Sequence, residues 1–199
     1  DYVSNIPYRK QIADRMTQLW NYERVSAPFR YGSFEFFYKN DGLQNQSAIY
    51  RKGTDGKEEL FLDPNKFSND GTSSLDGISF SKDGSLCAYS VSDAGSDWRT
   101  IFVLNAQTME LLSDKIVDAK FTGISWLKNE GFYYSSYDKP EGSALSAKTD
   151  QHKLYFHKLG TTQANDKVVF GEKTKNRYVG GSVTDNQRFL IISAANSTS

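Results

Sequence analysis

The sequence predicts an all-β chain, a partial β-propeller of about three and a half four-stranded antiparallel blades preceded by one short amphipathic helix. Three observations predict it. The first is a hairpin pattern, Ser79 to Ser92 (S-F-S-K-D-G-S-L-C-A-Y-S-V-S), in which two largely alternating runs flank a Lys-Asp-Gly turn; that is the signature of a half-buried antiparallel pair. The second is its recurrence at Ser125–Ser135 and Ser182–Ser193, with a shorter copy from Phe29 to Tyr38. The anchors Phe29, Phe80, Trp126 and Val183 lie 51, 46 and 57 residues apart, a repeat of the length of a propeller blade. The third is composition, because 12 Tyr and 13 Phe against 2 Met and 4 Pro favour strands over helices.

Taken in order, Tyr8 to Trp20 has a helical period. Ile12, Met16, Leu19 and Trp20 form one stripe, Pro7 stands just before it, and Arg9, Lys10, Asp14 and Arg15 take the other face. This helix does not belong to the repeat and needs an apolar surface to cover it. Blade one then reads as the Phe29–Tyr38 hairpin followed by Ala48–Tyr50 and Leu60–Leu62, with the polar connection 39–47 inside it. Asn69 to Ser74 is rich in turn formers and reads as the link to blade two. Blade two adds Ile101–Leu104 and Met109–Leu112 to the reference hairpin. Blade three adds Leu154–Phe156 and Val168–Phe170, and its connection Asp138–Asp150, the longest of the equivalent ones, is expected to be the most mobile part of the chain. The fourth copy shows only its first hairpin. Six positions separate the apolar anchors Phe80 and Leu86, Trp126 and Phe132, and Val183 and Phe189 across their turns.

The charge balance bears on partners. With 24 basic and 24 acidic residues and no basic block, the chain lacks the clustered positive surface that nucleic acid requires. No apolar run approaches the eighteen or so residues of a membrane span, so no membrane partner is expected. The one cysteine, Cys87, reads as a small buried hydrophobe. The sequons at Asn45 and Asn196 are short enough to arise by chance.

Motifs that carry chemistry are missing. There is no G-x-S-x-G, no phosphate-binding glycine loop and no cysteine pair, so no catalytic residue, metal or cofactor is expected. His152 and His157 are five apart on a strand-like run, which points them to opposite faces and argues against a shared metal. Each is expected to be hydrogen-bonded in the ordinary way or to face solvent. Asp83-Gly84 and Asn129-Glu130-Gly131 read as turns.

Several strings are more specific. Gly42-Leu43-Gln44-Asn45-Gln46, Phe61-Leu62-Asp63-Pro64-Asn65, Gly95-Ser96-Asp97-Trp98 and His152 through Thr161, with the helix in front, together resemble the propeller of the prolyl oligopeptidase family, in its bacterial form. The resemblance covers essentially the whole chain. It implies a seven-bladed propeller capping an α/β-hydrolase domain with a Ser-Asp-His triad, which cleaves short peptides after proline and excludes folded proteins. On that reading residues 1–22 are a helical lead-in from the hydrolase domain and residues 23–199 are the first blades. The triad lies outside these residues, and the 199-residue chain alone is expected to be inactive. Its partners would be short proline-containing peptides and the hydrolase domain of the same protein.

Two substrate-binding residues follow from the resemblance. Asp97 matches a propeller aspartate that pairs with a substrate-binding arginine of the hydrolase domain; the alternative is an aspartate capping its own turn. Phe121, in Ala119-Lys120-Phe121-Thr122-Gly123, matches an aromatic lining the pocket for the residue upstream of proline; the alternative is a blade-core phenylalanine. Trp98 reads as core. Oligopeptidase B and the dipeptidyl and acylaminoacyl peptidases share the architecture, and a non-catalytic propeller that binds peptide or protein on its loop face is the other functional reading. The sequence leaves the compartment open between cytoplasm and periplasm. Because unclosed blades leave apolar faces and a strand edge wet, the chain made alone is expected to self-associate.

Overall fold

A computed structural model describes residues 2–138 and 150–197 and resolves the chain into two compact units, residues 1–71 and 72–199. The long connection expected to be mobile falls mostly on residues 139–149, outside the described residues, as does Thr198 of the second sequon.

The first unit begins with helix α1, Arg9–Trp20. The Asn21 N–H bonds to the Thr17 carbonyl and closes its last turn, and Lys10 pairs with Asp14 one turn on at 2.6 Å. Its apolar stripe is where the period places it, yet Ile12, Met16, Leu19 and Trp20 are each more than half exposed. The sheet that follows has five strands rather than the four expected: β1 (Arg24–Val25), β2 (Phe29–Tyr31), β3 (Phe34–Asn40), β4 (Ala48–Lys52) and β5 (Glu58–Leu62). Both β1 and β2 pair with β3. Pro28, which has no N–H, lies in the gap between them, and Ser26 bridges the break through its N–H and Oγ to Tyr38. Phe36, Ile49 and Phe61 are buried on one face of this sheet and Phe37 on the other. Asp63 caps the short 3-10 turn Pro64–Lys66, and the Asn65 amide exchanges bonds with the Gln46 backbone at 3.0 and 2.9 Å. The Asp-Pro-Asn string therefore fastens the 41–47 connection.

The described residues of the second unit form two four-stranded antiparallel meanders and a two-stranded hairpin in chain order. They are β6 (Ser73–Phe80), β7 (Leu86–Asp93), β8 (Trp98–Asn105) and β9 (Leu111–Lys120); β10 (Ser125–Leu127), β11 (Gly131–Ser136), β12 (Lys153–Lys158) and β13 (Lys167–Phe170); and the pair β14 (Tyr178–Val183) and β15 (Leu190–Ala195). Two boundaries differ from expectation. Strand β6 already starts inside the expected link, because Ser73 pairs with Asp93. Strand β9 starts later and runs for ten residues, since Met109 sits at φ 63° in a turn capped by the Asn105 side chain and bulges opposite β8 let the strand continue. The anchor frame also shifts. Trp126 faces Phe132 across its hairpin, but Phe80 and Val183 pair with Cys87 and Leu190, one position beyond the anchors, because those turns hold one more residue.

Successive blades of this unit are tied through their first strands. Trp126 Nε1 on β10 donates to the Ser79 carbonyl on β6 at 3.0 Å, and the Val183 N–H on β14 donates to Ser125 Oγ on β10 at 2.8 Å. Their hairpin turns join hands as well, Asn129 to Asp83 and Lys128 to Gln187. Ala88, Ile101, Val103, Ile116 and Ala119 of one blade and Trp126, Phe132 and Tyr134 of the next form one core. Cys87 lies fully buried in this unit, and burial pushes its thiol pKa up.

A polar seam crosses that core. His157 on β12 is fully buried, its Nδ1 2.7 Å from Asp166 and its Nε2 3.1 Å from Asp114 on β9. Asp114 also accepts the Gly160 N–H at 2.6 Å, and Asp166 accepts the Tyr134 hydroxyl at 2.8 Å. Burial by itself would depress the imidazole pKa, but the hydrogen bonds and charges of Asp166 and then Asp114 outweigh it and raise it. With a carboxylate at each ring nitrogen, His157 has surroundings that favour the imidazolium, which ties blade to blade.

Gly131 shows how tightly β11 and β12 approach. A Cβ there would lie 2.0 Å from the His157 carbonyl oxygen. We expect Gly131→Ala to push the pair apart and cost about 1–3 kcal/mol, the range for overpacking, toward its upper end. Thermal melting of the full-length polypeptide reads it; an unchanged midpoint would contradict the close approach.

Candidate substrate-facing site

One end of the second unit gathers the residues singled out in the sequence. The β7–β8 turn, the end of β9, the end of β11 and the start of β14 all lie there, because antiparallel order brings every second connection to the same side. Asp97 stands in the β7–β8 turn with its side chain 61% exposed. The turn is capped by Ser96, whose Oγ accepts the Trp98 N–H at 3.1 Å, and the Asp93 carbonyl accepts the Ser96 N–H at 2.9 Å. The cap is therefore a serine, which leaves the Asp97 carboxylate facing outward.

Phe121 follows β9 directly. Its backbone is left-handed at φ 51°, a conformation that turns the chain sharply out of the strand. The ring is 46% exposed, so it is not blade core, and it meets Tyr137 edge-on at 6.2 Å and Tyr178 at 5.7 Å. Burial first, then the neighbouring Tyr178, pushes the Tyr137 phenol up to about 12, so it stays a neutral hydroxyl. That hydroxyl donates to the Arg177 carbonyl.

Asp97 and Phe121 are joined by a residue that the sequence did not mark. Lys120 pairs across the sheet with Trp98, and its ammonium lies over the Trp98 ring at 5.0 Å and the Phe121 ring at 5.2 Å. It sits 3.8 Å from Asp97 Oδ2, with a side chain only 12% exposed. A lysine beside two aromatics in one cross-strand pair was the available signal, but only the register shows that they stack.

Beneath this cluster His152 is fully buried. Its Nδ1 accepts the Val179 N–H at 2.8 Å, which leaves Nε2 to carry the proton and donate to the Lys120 carbonyl at 2.8 Å. Burial lowers its pKa against these two backbone bonds, so the ring is neutral. One imidazole on blade three therefore grips the last residue of β9 and the second residue of β14. Both histidines are hydrogen-bonded, as one of the two expectations had it, and neither faces solvent.

A cavity of about 440 Å3 in the same unit, lined by residues including Asp118, Tyr134, Tyr155 and Asp166, shares only Tyr137 with this cluster. Its Tyr134 and Asp166 are already engaged in the seam. Among the described residues no group of three or more His, Cys, Asp or Glu side chains could hold a metal ion. No described helix is long and apolar enough to cross a membrane.

Consecutive four-stranded meanders with ties between the first strands of successive blades define a β-propeller domain. The chain belongs to the prolyl oligopeptidase N-terminal β-propeller family, whose sequence profile matches residues 1–199. It is 56% identical over 200 residues to the prolyl endopeptidase of Elizabethkingia miricola, covering all of this chain and 28% of that protein. It is 31% identical to prolyl oligopeptidase ophP of Omphalotus olearius, covering 30% of it. Among solved structures, a prolyl endopeptidase superposes with a TM-score of 0.80 at 33% identity, over 28% of its chain. Prolyl oligopeptidase B of Galerina marginata, bound to a 35mer hydrolysis and macrocyclization substrate, gives a TM-score of 0.87 at 28% identity over 30% of its chain. The chain thus spans less than a third of the length of these relatives.

Proposed function

We propose that this chain is the propeller part of a serine endopeptidase that cleaves short peptides on the carboxyl side of proline, with the triad in a hydrolase domain outside these residues. The propeller gates access to the active site and supplies one wall of its cavity. Residues 1–22 form the lead-in from the hydrolase domain, a role supported by the uncovered stripe of α1. Asp97 pairs with a substrate-binding arginine of that domain and orients its guanidinium toward a peptide carbonyl. Phe121 lines the apolar pocket for the residue upstream of proline.

The observation that carries this reading is the pairing of an outward carboxylate with a half-exposed ring at one end of the propeller. Among the described residues the Asp97 carboxylate has a long 3.8 Å contact to Lys120 and no bond to its own turn, which leaves it acceptor sites for a fork-shaped donor. In the full-length protein, Asp97→Ala is expected to lower kcat/KM on a benzyloxycarbonyl-Gly-Pro reporter by about ten-fold or more, mostly through KM, as loss of a charged hydrogen bond requires. Unchanged kinetics would remove Asp97 from the site. Failure of the full-length protein to cleave the reporter at all would instead favour a propeller that only binds peptide.

A further inference from the structure

We infer that Lys120 is a positioning residue of this site, a role that rests on the substrate-facing reading of Asp97 and Phe121. Three features of its surroundings set it apart from a surface lysine. Its side chain is 12% exposed although it stands at the open end of the blade. Its ammonium touches both proposed site residues, 3.8 Å from the Asp97 carboxylate and 5.2 Å from the Phe121 ring centre, while Trp98 closes the other side at 5.0 Å. Its backbone is fixed as well, because its carbonyl accepts the His152 Nε2 proton at 2.8 Å.

The physics of the arrangement gives each contact a task. A cation held against two aromatic faces loses the freedom of a four-carbon stem and becomes a fixed charge. At 3.8 Å that charge is close enough to bias which way the Asp97 carboxylate points, and too far for the short ion pair that would saturate it. Lys120 therefore holds Asp97 in position with acceptor sites to spare for a second cationic donor. The same ammonium supports the Phe121 ring from one side, while Tyr137 and Tyr178 support it from others. Phe121 stands at φ 51°, where its direction is set by backbone rather than by strand pleat, so a lateral support decides where the ring rests.

The test uses the full-length protein and the Gly-Pro reporter. Lys120→Met keeps length and apolar contact but removes the charge. It is expected to raise KM roughly 3- to 10-fold with kcat within about two-fold, the scale of one partly exposed charge contact plus one cation–π contact. Lys120→Arg, which keeps the charge over the rings, should restore at least half of the loss. In an Asp97→Asn background Lys120→Met should raise KM further by no more than about two-fold, since most of its effect runs through that carboxylate. Normal kinetics for Lys120→Met, in a protein where Asp97→Asn raises KM, would overturn the role of Lys120 and leave the site reading standing. Normal kinetics for Asp97→Asn and Phe121→Ala alike would remove the site and this role with it. A fall in kcat and melting temperature together in both Lys120 variants would show a purely structural lysine and overturn the inference.

Discussion

Replacing His157 by leucine is expected to lower the stability of the second unit by about 3–5 kcal/mol, the cost of removing one partner from a buried charged network. Leucine fills much of the space but leaves the Asp114 and Asp166 side chains, 4% and 2% exposed, without the cation that faces both. The Gly160 N–H and the Tyr134 hydroxyl still reach them, so each keeps one neutral donor and loses its charged one. The pH dependence of the parent protein follows from the direction of the shift. His157 has a raised pKa in the fold, so its contribution is complete below about 6.5, the unfolded value, and is lost as pH rises through the raised folded value. Melting temperatures across this range should fall toward alkaline pH in the parent, and the difference between parent and His157→Leu should shrink in the same direction. A difference that does not change with pH would contradict a buried imidazolium.

Replacing His152 by alanine is expected to cost about 2–6 kcal/mol, because it orphans two backbone groups at about 1–3 kcal/mol each. The Val179 N–H loses its acceptor and the Lys120 carbonyl loses its donor, one on the blade before and one on the blade after. The Tyr137 ring, 4.5 Å away, loses its packing partner too. The linkage has the opposite sign from that of His157. A His whose pKa is lowered in the fold contributes fully above about 6.5, and that contribution is lost as pH falls through the lowered folded value. The parent should then be most stable between the two limbs, with His152→Ala removing the acid limb and His157→Leu the alkaline one. The first of these variants should also raise KM in the full-length protein, since Lys120 sits on the carbonyl that His152 holds. An intact KM alongside lost stability would uncouple the rivet from the site.

The difference between the two histidines explains how far the sequence could be read. Spacing alone points them to opposite faces of one strand, but only His157 lies on β12; His152 stands just before it. Their burial was hidden, because the carboxylates that surround His157 come from 43 residues upstream and 9 downstream. The hairpin repeat was legible since side-chain alternation is local and each turn is built from its own residues, as Asp83 and Ser81 build theirs. The sequence shows only the start of strand β9, because a bulge, which restarts the pairing opposite β8, leaves no mark in the alternation of one strand. Asp97 and Phe121 follow from resemblance alone, and Lys120 between them carries no signal because the Trp98 ring and the Asp97 carboxylate reach it only through the cross-strand register.

By itself the sequence determined the number and order of the hairpins, the helix with its stripe and the turns, all of which depend on residues within a few positions of one another. The register between strands and the meeting of Asp97, Lys120 and Phe121 are decided by strand pairing within a blade, and the surroundings of the two buried histidines by the packing of one blade on the next. Packing sets the dielectric and the partners that each polar group meets, and most of those partners stand 20 to 60 residues away along the chain for reasons of topology that no local pattern carries.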